Sequence, residues 1–502
     1  MSGAGAWGEA LGALDGLDPH ALVVARRGTV LARATWAPYD AEHAGLVYSV
    51  SKTVTALAVL LLEYERRLGL GDAVDRHLDL PNPHGFTLRH LLTMSTGHSR
   101  EQTSVMPADP AVLLATPPEF PVGTRFAYSS PATGTLGRVV HAVAGEQPTD
   151  YLRPRLLDPL GIGPRWWRVL GGVEQGFSGL HLTVNDQARL GLALASGGLA
   201  PDGTRVLPES VVSAMASTFV PTAETFAEGE AGAEPDTARD DWALGYGYGV
   251  WRSRHGYRMD GAYGQFTLVV PESGVVVAYQ GSAIDTQRVL DVLWGLVAAA
   301  AAGDAAAADS DGPPAGPSDV VGATGSVGST ASSEESGGGT AAAKRDSWAV
   351  RDRYVASDAP ALDVAGWSLD DAAGAGAPGA AGAAGWRLTI PARDGQPGGT
   401  VDLRPDAWTR GSLALRPGDT AVGAPSDPVP DGVVPVAARA ERLPDSTVRA
   451  HLVATASPHR VLVNRAPDGA LSARWHTGPL WAPTLATLLV PPLVAAPARG
   501  PS

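Results

Sequence analysis

Tyr48-Ser49-Val50-Ser51-Lys52-Thr53 runs directly into Val54-Thr55-Ala56-Leu57-Ala58-Val59-Leu60-Leu61-Leu62, and the rest of the chain is best read outward from this stretch. It contains neither glycine nor proline, and its apolar content predicts a helix over Val50 to Leu68. Residues three apart on a helix share a face, so Ser49 and Lys52 should meet side by side. The 502-residue chain contains only two lysines, Lys52 and Lys344, against 36 arginines. A guanidinium stays protonated at any working pH, whereas a desolvated lysine can lose its proton and act as a base. Ser-x-x-Lys at a helix start is therefore the pattern of an activated serine nucleophile. The helix N-terminus favours developing negative charge and leaves the Ser49 N–H to face an oxyanion. Taken alone, the same residues also fit an amphipathic helix with a serine near its cap and a lysine on its wet side.

Two further segments add to this reading. Phe126-Ala127-Tyr128-Ser129-Ser130-Pro131 places a phenol among small polar residues just before the helical pattern around Leu136. A phenol beside a lysine ammonium can have its pKa lowered and can pass a proton from nucleophile to leaving group. Met259-Asp260-Gly261-Ala262-Tyr263-Gly264-Gln265 leads into a strand pattern at Phe266 to Val270. Its small residues would let a substrate lie against the backbone of a strand edge. Seen singly, the first segment is equally a core tyrosine in a turn and the second a glycine-rich hairpin bend.

The chain divides into three regions by composition. Residues 1–300 alternate apolar and turn segments. They open on a hairpin, Ala21 to Ala25 and Thr29 to Arg33 about Arg26-Arg27-Gly28. Helices are predicted at Leu88 to Leu92, Leu136 to Val143, Tyr151 to Leu157, Val184 to Ala195 and Thr286 to Ala299. Strands are predicted at Tyr246 to Trp251, Phe266 to Val270 and Val275 to Tyr279. Strands at both ends of a helical middle indicate an α+β layering. Residues 301–345 are rich in Gly, Ser, Ala and Pro without apolar periodicity, which predicts a disordered linker. Residues 346–502 hold short strand-like runs such as Trp386 to Ile390 and Val448 to Ala454, predicting a small all-β domain, sandwich or barrel.

A net charge of −14 argues against nucleic acid or an anionic membrane as partner. With no cysteine there are no disulfides and no thiol chemistry. The first residues lack the pattern of a signal peptide, and no apolar run approaches the ~20 residues of a spanning helix, so a cytoplasmic location is expected.

The three segments, in this order and at these separations, resemble the serine β-lactamase/penicillin-binding-protein superfamily, especially its class C-like serine hydrolases and esterases. Thr87 to His98, Leu156-Leu157-Asp158-Pro159-Leu160-Gly161-Ile162 and Gly179 to Asp186 extend the resemblance over roughly residues 10–300. It implies an antiparallel sheet flanked by helices, with a helical subdomain. It also implies Ser49 as acylated nucleophile, Lys52 as general base and Tyr128 as second proton-handling group. Ser130, Met259, Asp260, Gly261 and Ala262 would then contact substrate, and the Ala262 N–H would join that of Ser49 in the oxyanion hole. Two departures stand out. Tyr128-Ser129-Ser130 has a hydroxyl where lactamases of this type carry the amide of Tyr-x-Asn. Met259-Asp260-Gly261 replaces Lys-Thr-Gly or His-x-Gly, removing the cation that would receive a substrate carboxylate, and Asp260 would repel one if it faced the cleft.

The twelve histidines show no metal-binding pattern. His98 and His255 are placed near the cleft without a direct role, Trp166-Trp167 in the core, and Glu224 to Asp241 in a solvated loop. The reading predicts a cofactor-free, metal-free serine hydrolase acting on a small-molecule ester, amide or peptide. A β-lactamase or D-amino-acid-specific peptidase is the alternative within the same chemistry, and a catalytically weak binding or scaffold protein the alternative outside it. Oligomeric state has no signature in the sequence.

Overall fold

The computed structural model describes residues 10–163, 165–217, 220–223, 241–307, 341–345, 360–372, 385–393, 395–422, 426–480 and 482–492. The predicted hairpin forms from β1 (Pro19–Arg26) and β2 (Thr29–Trp36). It turns at Arg27 and Gly28, both at positive φ (46° and 85°), the two-residue turn whose twist matches antiparallel strands. Five further strands complete the sheet: β3 (Trp251–Arg252), β4 (Tyr257–Gly261), β5 (Gln265–Val270), β6 (Val275–Gly281) and β7 (Ala341–Arg345). The strand order is β7-β2-β1-β6-β5-β4-β3.

Alternation along β1 assigns its faces. Ala21 and Val23 point to one core with Val184 and Ala188, and Leu22 and Val24 to another with Val289, Leu290 and Leu293. The first face carries the helix α4 (Val184–Ala195) and the second α5 (Thr286–Ala307). Three more helices matter to the site: α1 (Val50–Tyr64), α2 (Arg100–Val105) and α3 (Ser130–Ala144). Every residue of α1 from Val50 to Leu62 is buried, as expected of a helix apolar on all sides at the centre of its domain.

Three expectations need correction. The segment read as a disordered linker, 301–345, is ordered at both ends. The helix α5 continues to Ala307, and β7 pairs in parallel with β2 from Ala341↔Ala32 to Arg345↔Trp36; residues 308–340 lie outside the described ones. Tyr246 to Trp251 is not a strand but a bent segment with single bridges. Gly249, at φ 73°, packs so tightly on α1 that a Cβ there would stand 2.9 Å from the Lys52 carbonyl oxygen. Glu224 to Asp240 lies outside the described residues, while Asp241 is buried and accepts from Gln287 and Trp294 rather than facing solvent.

The C-terminal region is all-β. One sheet has the order β8-β16-β15-β14-β13-β12 and the other β9-β10-β11. The strands are β8 (Ala361–Leu362), β9 (Ser368–Asp371), β10 (Trp386–Ile390), β11 (Gly399–Leu403), β12 (Thr409–Ala414), β13 (Val433–Arg442), β14 (Val448–Ala454), β15 (Arg460–Arg465) and β16 (Leu471–Thr477). Both sheets turn side chains into one core, among them Leu388, Val401, Val436, Val463 and Trp475. This domain is docked on the first. The Leu46 N–H donates to the Ala456 carbonyl (2.9 Å), Arg460 pairs with Asp18 (3.1 Å), and the Asp427 carboxylate accepts from the Gly171 and Gly172 N–H groups (2.7 and 2.8 Å).

Candidate active site

Ser49 occupies the N-cap of α1, where a serine hydroxyl ordinarily accepts from the first turn of the helix. Here it makes no such cap bond. Instead the Lys52 Nζ lies 3.0 Å from Ser49 Oγ, and the Tyr128 phenol is hydrogen-bonded to the same hydroxyl. The entry into the helix is unusual, since Tyr48 sits at φ 46°, a conformation that costs a side-chain-bearing residue about 1–3 kcal/mol.

Lys52 is 2% exposed and forms no ion pair with any described carboxylate. Its ammonium donates to the Phe177 carbonyl (2.8 Å), lies 3.3 Å from Ser130 Oγ and sits 4.8 Å from the centre of the Tyr128 ring. Burial pushes its pKa down to about 7, against a smaller upward pull from the Asp260 carboxylate. Tyr128 behaves differently from expectation. Burial drives its phenol well above the usual range, outweighing the downward effect of the Ser49 hydrogen bond, so it stays protonated at neutral pH. Lys52 stands over the ring face rather than beside the hydroxyl and does not lower it.

Opposite the start of α1 lies the end of β4. A Cβ on Gly261 would collide with the Val47 carbonyl oxygen and stand 3.3 Å from the Ser49 nitrogen. That close approach requires glycine and places the following residue, Ala262, beside Ser49. Among the described residues no backbone carbonyl accepts from the Ser49 or Ala262 N–H.

Ser49, Tyr128, Ser130, Asp260 and Ala262 all line one cavity of about 850 Å³. Gly261 sets the approach of strand to helix and does not line it. Met259 is the clear correction among the expected substrate contacts. It is fully buried in the main core, on the face of β4 opposite Asp260, and does not reach the cavity. Asp260 does face the cavity, but its carboxylate is held at 2.8 Å by the wholly buried Arg258. Burial raises its pKa and Arg258 lowers it, so its charge is largely spent on that guanidinium. His98 is buried and bonded to Thr96 and the Thr116 carbonyl, and His255 packs near Trp294; neither lines the cavity.

No sequence motif signals that the C-terminal domain forms part of this cavity. His459, Pro479, Leu480 and Thr487 line it. His459 Nε2 lies 2.7 Å from the Tyr48 hydroxyl, and its Nδ1 lies 3.2 Å from the Thr477 carbonyl. Burial first, then Arg168, pushes the imidazole down to about 3, so it is neutral. Nδ1–H then donates to Thr477, and Nε2 accepts from Tyr48. Tyr263, one residue past Ala262, donates to the Gly478 carbonyl at 2.7 Å. Tyr48 and Tyr263, the neighbours of Ser49 and Ala262, are thus both tied to the second domain.

A profile of the Beta-lactamase family matches residues 18–302, more than half of the chain. Penicillin-binding protein 4 of Amycolatopsis lactamdurans is 28% identical over 191 residues, 32% of this chain and 48% of that protein, so the chain spans about half the length of this curated relative. Among solved structures, a penicillin-binding protein homologue from Caulobacter crescentus shares 20% identity at a TM-score of 0.48, covering 60% of this chain and 98% of that one. The octameric penicillin-binding protein homologue from Pyrococcus abyssi shares 14% identity at a TM-score of 0.45, covering 94% and 100%. The chain belongs to the Beta-lactamase family.

Proposed function

We propose that this protein is a serine hydrolase that acylates Ser49 on an ester, amide or peptide substrate. The observation that carries the reading is Lys52, buried, without a carboxylate partner, 3.0 Å from Ser49 Oγ and with a pKa near 7. About half of such lysines are unprotonated at neutral pH and able to take the serine proton.

In the acylation step Ser49 Oγ attacks the carbonyl carbon and its proton passes to Lys52 Nζ. The oxygen that gains negative charge lies between the Ser49 and Ala262 N–H groups. As the bond to the leaving group breaks, that group takes a proton from the Tyr128 phenol, which is high enough in pKa to carry one. Lys52 returns to the phenolate the proton it took from Ser49, with the Ser130 hydroxyl, 3.3 Å from Nζ, as relay. Water then attacks the acyl carbon and gives a proton to Lys52, which passes it to Ser49 Oγ, 3.0 Å away, as the acyl bond breaks and the acid is released.

The test is turnover of a nitrophenyl ester by wild type, Ser49→Ala and Lys52→Arg. Hydrolysis lost in both variants supports the reading, whereas wild-type rates in Ser49→Ala would reject it.

A further inference from the structure

The chemistry above uses neither arginine of the cavity, the exposed Arg100 nor the buried Arg168. Arg168 lines it beside Tyr48, His459 and Thr487, with only 6% of its surface exposed. One Nη2–H donates to the Thr487 carbonyl (2.6 Å), and the guanidinium carbon stands 5.8 Å from the centre of the Trp166 ring. Its Nε–H has no acceptor among the described residues, and no described carboxylate pairs with it. The two other deeply buried arginines are neutralised, Arg258 by Asp260 and Arg460 by Asp18. Lys52 can discharge by losing its proton, but a guanidinium cannot. A buried cation without a counter-charge is costly, and the cost is relieved when an anion arrives.

The imidazoles next to Arg168, His181 and His459, are both held neutral, and the group that favours its charge is Tyr48, whose phenol stays protonated because burial raises its pKa. Asp260, the acidic group of the cavity, keeps other company, with Arg258 and Trp242 as its hydrogen-bond partners. The unpaired Nε–H donor of Arg168 lies where the second domain closes the cavity, since Nη2 of the same guanidinium donates to Thr487 of that domain.

We propose that Arg168 is a substrate-binding residue that receives a carboxylate on the substrate. The favoured substrate is then an anionic ester or amide, its charge recognised at the end of the cavity closed by the C-terminal domain. This rests on the serine-hydrolase reading and adds a substrate class to it. The cation missing from Met259-Asp260-Gly261 would thus be supplied from elsewhere in the cavity.

The experiment compares kcat/KM for nitrophenyl butyrate, mono-nitrophenyl glutarate (carboxylate on the acyl side) and 3-carboxy-4-nitrophenyl butyrate (carboxylate on the leaving side). A charge-assisted contact predicts that one of the charged esters is preferred by roughly tenfold to a hundredfold in wild type. The two arms identify which side of the scissile bond faces Arg168. In Arg168→Gln the charged-to-neutral ratio should fall toward one, and Arg168→Lys should keep part of it. A wild-type ratio near one for both charged esters, or a ratio unchanged in Arg168→Gln, overturns the proposal. Should Arg168→Gln not fold, calorimetry on wild type decides: glutarate should bind at least tenfold more tightly than glutaramide, and equal affinities overturn the proposal. That arm needs no turnover. Failure of all three esters with selective glutarate binding would reject the hydrolase reading and keep the anion site.

Discussion

The floor and the roof of the cavity are built in opposite ways. The floor, Ser49 and Lys52, comes from two residues three apart on one buried helix, so their meeting is decided by local geometry. The roof, His459, Leu480 and Thr487, reaches the cavity from a second domain, with 411 positions separating His459 from the Tyr48 it binds. The floor carries groups whose protons can move at neutral pH. The roof carries groups fixed in one state: a neutral imidazole, a permanently charged guanidinium beneath it and backbone carbonyls. Under the proposed mechanism, bond-making falls to the floor, and substrate choice with positioning of Ser49 to the roof and the Arg168 beneath it.

The largest effect expected is on the floor. Ser49→Ala should reduce ester kcat by on the order of 10³-fold or more, since no covalent intermediate can form. Retained turnover would place the nucleophile elsewhere.

Lys52→Arg should cost about 10²- to 10⁴-fold, the usual weight of a general base, and nearly as much as Lys52→Ala. An active arginine variant would mean that the position supplies only fixed charge.

The pH profile sharpens the same point. Lys52 must be unprotonated to accept the serine proton, and burial lowers its pKa to about 7. Acylation should therefore rise with pH through about 7 and level off above it. The Asp260 charge raises Lys52, so Asp260→Asn should move this limb toward acid. A shift toward alkaline pH would show that the Asp260 charge does not hold the Lys52 pKa up.

On the roof, Tyr48→Phe should have a smaller effect. It leaves the buried His459 Nε2 without its donor, at a cost of about 1–3 kcal/mol in stability, read as a lower Tm, with a modest fall in kcat. A loss of activity as large as that of Lys52→Arg would break the division between floor and roof. Met259→His is a control on the core: a buried imidazole should lower Tm and bring no gain on nitrocefin.

The legibility of each part follows from the same contrast. Ser49, Lys52 and Tyr128 could be found because serine, lysine and tyrosine stand in short motifs, and because lysine is so scarce. The hairpin of β1 and β2 and the helix α4 were readable from alternation and from apolar spacing. Met259 was misplaced because the motif fixes its position along β4 but not which face of the strand meets the core. The Tyr128 pKa was misjudged because burial, a property of the whole fold, outweighs the neighbouring hydroxyl. Arg168 carries no local sign: it is one of 36 arginines, and its bond to Thr487 spans 319 positions of the chain. The strand β7 was missed because Ala341–Arg345 is short and lies within a low-complexity stretch; only its pairing with β2 defines it.

The most direct test is the mass of the intact protein after exposure to a fluorophosphonate, followed by mapping of the labelled peptide. A single adduct on Ser49, absent from Ser49→Ala and formed much more slowly in Lys52→Arg, is the predicted result. An adduct on a different serine, or one that persists undiminished in Ser49→Ala, would contradict the assignment of Ser49 and Lys52 as the reacting pair.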